Sequence, residues 1–185
     1  MKKIFLRKLK LEDAPRMLEW QHDENVMRYL QFDGANKTLV DVQKFIEQAQ
    51  DCCENLHLAV TADNDKYYGT VSLKNIDKAK GEAEYAIALH PDFWGGGTFV
   101  SLELLHIAFV DLGLHRVYLN VIEDNQRAVR LYEKLGFRYM YADKINFKGQ
   151  VDTVLRWYEI RPEYLTNQVN LHIKNETEGQ DTRGG

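Results

Sequence analysis

Apolar side chains recur along this chain at two periods, two residues and 3.6 residues, and the switches between them outline its elements. Residues 4–9 read as a first strand. A helical block follows, with Asp13 placed to cap a helix that has Pro15 in its first turn and carries Met17, Leu18 and Trp20. Residues 24–30 read as a second short helix and 32–36 as a loop. Thr38 and Asp41 open a third helix, whose Val42, Phe45, Ile46 and Ala49 lie at helical spacing. Residues 56–61 and 67–73 are hairpin partners across the turn Asp63-Asn64-Asp65. After a polar turn at 78–81 come a strand at 83–89 and a helix at 99–112. That helix is apolar over most of its circumference, so deep packing is expected. Residues 115–122 form a strand, and Glu123-Asp124-Asn125 a cap cluster. Ala128, Leu131, Tyr132 and Leu135 share one helical face, which Gly136 ends. Residues 137–147 and 151–160 are strands joined by Lys148-Gly149-Gln150.

This order gives one α/β (α+β) domain over residues 1–166, with a mixed sheet of about six to seven strands and helices on both faces. Pairing is antiparallel in the first half, with crossovers later. Residues 167–185 are polar and are expected to form a flexible tail.

One stretch carries candidate chemistry. The strand ending Ile87-Ala88-Leu89 runs into the turn at Pro91, and Gly95, Gly96 and Gly97 then open the long apolar helix. Glycines let a backbone approach a ligand closely, and a helix start offers unpaired N–H groups and a positive dipole end. Strand, glycine turn and helix together read as a cradle for phosphate. The glycine run lacks both the Walker Lys-Ser/Thr ending and a spaced dinucleotide fingerprint.

Composition narrows the partners. With 24 Lys and Arg against 28 Asp and Glu, the net charge of −4 argues against nucleic acid, whose phosphates need a basic surface. No apolar run approaches the roughly 20 residues of a membrane span. Cys52 and Cys53 are adjacent and read as reduced thiols of a cytoplasmic protein. His22, His57, His106, His115 and His172 show no paired arrangement, so no metal site is expected. Glu82 and Glu84 share one strand face. Each is open to two readings: a solvated strand end, or a carboxylate that takes a proton through water or holds a cationic substrate.

Two motifs carry a family resemblance. One is His90-Pro91-Asp92-Phe93-Trp94-Gly95-Gly96-Gly97-Thr98. The other, more specific, is Asn120-Val121-Ile122-Glu123-Asp124-Asn125-Gln126-Arg127-Ala128-Val129-Arg130-Leu131-Tyr132-Glu133-Lys134-Leu135-Gly136-Phe137. Over roughly residues 4–160 the chain resembles the GNAT superfamily of acyl-CoA-dependent N-acetyltransferases, in the branch of ribosomal-protein alanine and spermidine acetyltransferases. Trp94 stands where the family usually has Gln or Arg, Gly96 where it often has Lys or Arg, and Phe99 where it has a small residue.

The resemblance implies acetyl-CoA as donor, with no metal. It implies that Ile87, Ala88 and Leu89 offer a strand edge to the pantetheine arm, and that Trp94, Gly95, Gly96, Gly97 and Thr98 hold the pyrophosphate. Asn125 and Ala128 then contact the cofactor, Tyr132 is the acid for the leaving thiolate, and Glu84 is the carboxylate beside the acceptor. His90 is structural in such a protein, and Trp20, Tyr29 and Phe32 fall in the block that walls the acceptor. The acceptor is a polyamine, an amino sugar, another small amine or a protein N-terminus; the acidic balance favours a cationic small molecule. The same resemblance allows a homodimer. A non-catalytic acyl-CoA sensor on the same fold is the alternative.

Overall fold

A computed structural model describes residues 3–50, 52–93 and 95–164. Trp94, the last residues of the expected domain and the expected tail at 167–185 lie outside the described residues. Seven strands form one sheet: β1 (Ile4–Lys8), β2 (Leu56–Ala62), β3 (Tyr67–Asp77), β4 (Glu82–Leu89), β5 (Arg116–Ile122), β6 (Arg138–Phe147) and β7 (Gln150–Ile160). Their spatial order is β1-β2-β3-β4-β5-β7-β6, and every pairing is antiparallel except β4 with β5. The mixed sheet with an antiparallel first half is as expected.

Period-two alternation sends side chains to two separate cores. On one face Leu58, Val60, Val71, Leu73 and Tyr85 pack with α4 (Gly97–His106) and α5 (Gln126–Leu135). On the other, Ala59, Tyr67 and Ala88 meet α1 (Ala14–Gln21) and α3 (Leu39–Ala49) through Met17, Trp20, Val42 and Ile46. Between them α2 (Glu24–Met27) is a single turn, shorter than the expected 24–30. Its end is held by the Lys148 ammonium, which donates to the Met27 carbonyl.

Local signals act as expected at several ends. Thr38 and Asp41 form a reciprocal capping box on α3. The Asn125 side chain accepts from the Ala128 N–H at 3.3 Å and starts α5. Gly136 ends α5 at φ 100°, a left-handed conformation that glycine adopts without a Cβ clash.

Two expectations are corrected. Asp13 stands at the N-terminus of α1 but does not cap it; its buried carboxylate accepts from Arg7 at 2.7 and 2.8 Å and from the Lys10 N–H at 2.9 Å. The guanidinium fork outcompetes a helix amide for the same oxygens. The helix expected at 99–112 begins at Gly97 and widens into π-helical turns at Ile107–Asp111. It lies on the outside of the sheet, not between two layers, so Phe99, Val110 and Leu112 remain exposed while Val100, Leu104 and Leu105 are buried.

Candidate active site

The site begins with a parting of two parallel strands. β4 pairs with β5 only at Glu82, Ala83 and Glu84, opposite Arg116, Val117 and Tyr118. Beyond that point β4 continues along β3 as far as Leu89, while β5 continues along β7 as far as Ile122. One side of β4 over residues 85–89 therefore has no strand partner, and its backbone groups are free to bind an extended amide chain. Ile87, Ala88 and Leu89 all lie on this edge. The closed end is clamped by Arg116, which donates to Glu82 and Glu159 at 2.6 Å each. Glu82, open from the sequence to both a solvated and a site reading, is thus a structural ion-pair partner.

Past β4 the chain reaches the glycine segment. Gly95 adopts φ +83°, a left-handed conformation. A Cβ on Gly96 would lie 2.3 Å from the Phe93 ring, whereas one on Gly97 would come no closer than 3.5 Å to Leu131. A side chain at Gly96 would therefore have to displace the Phe93 ring. The helix that follows has no side-chain cap, so the first-turn N–H groups near Gly97 and Thr98 are left for a ligand.

A cavity of about 620 Å³ opens between the parted strands and the helical block. Of the residues singled out from the sequence, it is lined by Glu84, Ile87, Ala88, Asn125 and Tyr132. Leu89, Gly95, Gly96, Gly97, Thr98 and Ala128 do not line it. Trp20, Tyr29 and Phe32 do, with Phe45 from α3, and Trp20 meets Phe32 edge to face at 6.1 Å. Trp20 also packs in the core and donates to the Tyr67 hydroxyl at 3.0 Å.

Tyr132 projects from the buried face of α5 beside Val129 and Leu135. Its ring packs against Tyr85 at 5.7 Å and Phe137 at 5.7 Å. Burial alone raises the pKa of its hydroxyl, so the phenol stays protonated at neutral pH. Glu84 accepts from Lys74 Nζ at 2.8 Å and from Asn75 Nδ2 at 3.0 Å, so both carboxylate oxygens are engaged. His90 is buried, and its Nδ1 accepts from the Asp92 N–H at 3.1 Å, a structural role.

One group was missed. His57 on β2 lines the same cavity, with its Nδ1 2.7 Å from Ser72 Oγ and its ring 5.0 Å from Phe45. Burial, and then the nearby Lys74 ammonium, lower its pKa below the ordinary value. Sequence spacing showed no partner because the contact is made across strands. Among the described residues no group of three or more His, Cys, Asp or Glu is arranged to hold a metal. Among them, too, no helix is long and apolar enough to cross a membrane.

This fold has counterparts among known proteins. The family description "Acetyltransferase (GNAT) domain" matches residues 3–138. This chain belongs to the GNAT acetyltransferase family. The spermidine N(1)-acetyltransferase of Escherichia coli is 28% identical over 168 residues, covering 88% of each chain. That of Vibrio cholerae is 26% identical over 167 residues, covering 88% of this chain and 95% of the relative. The crystal structure of the Vibrio cholerae spermidine N-acetyltransferase in complex with CoA and spermine superposes with a TM-score of 0.79 at 22% identity, over 87% of this chain and 96% of that one. This GNAT chain is an acetyltransferase that moves an acetyl group from acetyl-CoA to an amine. The free edge of β4 and the glycine segment fit the amide arm and the diphosphate of that donor.

Proposed function

We propose that this GNAT enzyme acetylates the primary amine of a small, hydroxyl-bearing acceptor with a single positive charge, of the amino-sugar type. What carries the reading is the charge balance of the cavity. Its lining holds two carboxylates, Asp41 and Glu84, and two ammonium groups, Lys37 and Lys74. Glu84 is engaged by Lys74 and Asn75, and Asp41 by the Thr38 N–H and hydroxyl. A polyamine would bring several positive charges into a space where Glu84 is already paired with Lys74 and two ammonium groups balance the two carboxylates, and unpaired charges are costly to desolvate. The neutral donors and acceptors Gln21, Gln31, Asn120 and Asn125 suit hydroxyl groups, and Trp20 and Phe32 offer flat apolar surface.

In this reading Ile87, Ala88 and Leu89 pair with the pantetheine arm. N–H groups from Trp94, Gly95, Gly96, Gly97 and Thr98 hold the diphosphate, and Asn125 and Ala128 border the arm at the start of α5. Acetyl-CoA supplies a thioester carbon open to an amine. The remaining lone pairs of Glu84, whose two oxygens also accept from Lys74 and Asn75, orient the acceptor ammonium within the cavity. As the amine nitrogen bonds to the acyl carbon and the carbon–sulfur bond breaks, the Tyr132 hydroxyl gives its proton to the departing sulfur. The proton lost by the nitrogen replaces it through solvent. Transfer is direct, and the two free cysteines, Cys52 and Cys53, do not line the cavity. An acetyl-CoA donor and two free thiols support the cytoplasm as the place of work. Exposed Tyr139, Met140 and Tyr141 on the edge strand β6 support a homodimer.

An acceptor panel with acetyl-CoA tests the proposal, with CoA release followed by thiol detection and products by mass spectrometry. Amino sugars are expected to be acetylated faster than spermidine at equal concentration. A higher kcat/KM for spermidine than for every amino sugar would overturn the choice of acceptor.

A further inference from the structure

We infer that His57 and Ser72 form a proton relay that strips the acceptor ammonium before attack. The inference rests on the acetyl-transfer reading but not on which acceptor is used.

The placement follows from strand register. His57 on β2 lies opposite Ser72 on β3, and Ser72 lies opposite Ala86 on β4. Directly opposed residues share a face, so these three form a row across the sheet. At about 4.8 Å per strand, the Ser72 hydroxyl stands one strand from the open edge and His57 stands two. All three line the cavity. Ala86, with only a methyl group, does not block the way from the open edge to Ser72. Phe45 packs on the imidazole from the far side and holds it.

The chemistry requires such a group. An amine arrives as an ammonium ion, which has no lone pair for attack. Glu84 is a poor acceptor for the proton, because an ammonium and an amide already occupy its two oxygens. The His57–Ser72 contact of 2.7 Å suits a hydroxyl that donates to Nδ1, with the ring hydrogen on Nε2. The acceptor N–H proton passes to Ser72 Oγ as the Ser72 proton passes to His57 Nδ1. The products of the step are a neutral amine, an intact serine and an imidazolium, with charge conserved. The charged groups facing His57 are Lys74 on β3, Glu84 on β4, and Asp41 and Lys37 at the start of α3. Burial, and then the Lys74 ammonium, keep the ring neutral, and so able to take a proton, at neutral pH.

The test is a pH profile of kcat/KM for the wild type, His57→Gln, His57→Ala and Ser72→Ala, with fold checked by thermal melting. With the relay, the wild type uses the ammonium form and holds a plateau from about pH 7 to the pKa of the amine. Without it only the free amine reacts, so the rate of each variant climbs steeply with pH. The expected loss for His57→Ala is ~100-fold near pH 7, the scale of general base catalysis, shrinking to a few-fold at pH 9.5. Added imidazole restores part of the His57→Ala rate, and Ser72→Thr retains the wild-type profile. Folded His57 and Ser72 variants whose loss is the same at every pH would overturn the relay alone. Absence of CoA release by the wild type with every amine would instead remove the reading on which it rests.

Discussion

The two ends of the β4–β5 pair are made of similar strand residues and behave in opposite ways. At residues 82–84 the strands are bonded to one another, and Arg116 ties Glu82 of β4 to Glu159 of β7. From residue 85 onward β4 loses that neighbour and borders a cavity. The closed end satisfies its backbone and charges internally and contributes stability. The open end keeps backbone groups unpaired within the sheet, which is tolerable only where solvent or a ligand can reach them.

Removing the clamp should have the largest effect. Arg116→Met removes the cation shared by Glu82 and Glu159, leaving Glu159 only Arg161, and should cost about 2 kcal/mol of stability by urea denaturation, a figure reduced from that for fully buried pairs because all three side chains retain some exposure. Burial would raise the pKa of Glu159, but hydrogen bonds from Arg116 and Arg161 outweigh it and hold the carboxyl below its ordinary 4.5. A depressed carboxylate stabilises the fold above its unfolded pKa and loses that contribution as pH falls through the folded value. The gap between wild type and Arg116→Met should therefore narrow as pH falls below about 4.5. A gap that stays constant down to pH 3 would show that the clamp acts through packing alone.

At the open end, Tyr132→Phe should lower kcat by ~10-fold or more and leave acetyl-CoA affinity unchanged by calorimetry. Undiminished turnover removes Tyr132 from proton transfer and leaves it a packing residue beside Tyr85 and Phe137.

The smallest effect separates two adjacent glycines. Gly96→Ala should weaken acetyl-CoA binding by ~5-fold, roughly 1 kcal/mol, because its methyl displaces Phe93. Gly97→Ala, with ordinary contact to Leu131, should change it less than twofold. Equal affinities for both variants and the wild type would place the diphosphate elsewhere.

Much of the site was legible because its signals are local. Asn125 caps the helix it precedes, Gly136 closes it, and the i, i+3, i+4 spacing that carries Leu131 and Tyr132 also buries Tyr132. The His57–Ser72 pair was illegible for a specific reason. Thr61 pairs with Tyr67, and a regular hairpin continuing from there would set His57 against Val71. A bulge between Val60 and Thr61 shifts the register by one, and one residue exchanges faces. A bulge is a choice made by the packed sheet. The role of Arg116 was hidden likewise, since Glu82 and Glu159 are distant in the chain from it and from each other.

Periodicity, caps and glycines, which act within one or two turns of chain, determined the order of elements, the glycine segment ahead of α4 and the phenol on the buried face of α5. Only the tertiary structure decided where β4 leaves β5, which carboxylates were already paired and which imidazole faced the cavity. Those outcomes depend on strand register and on charges brought together from remote positions, and no local pattern of side chains carries that information.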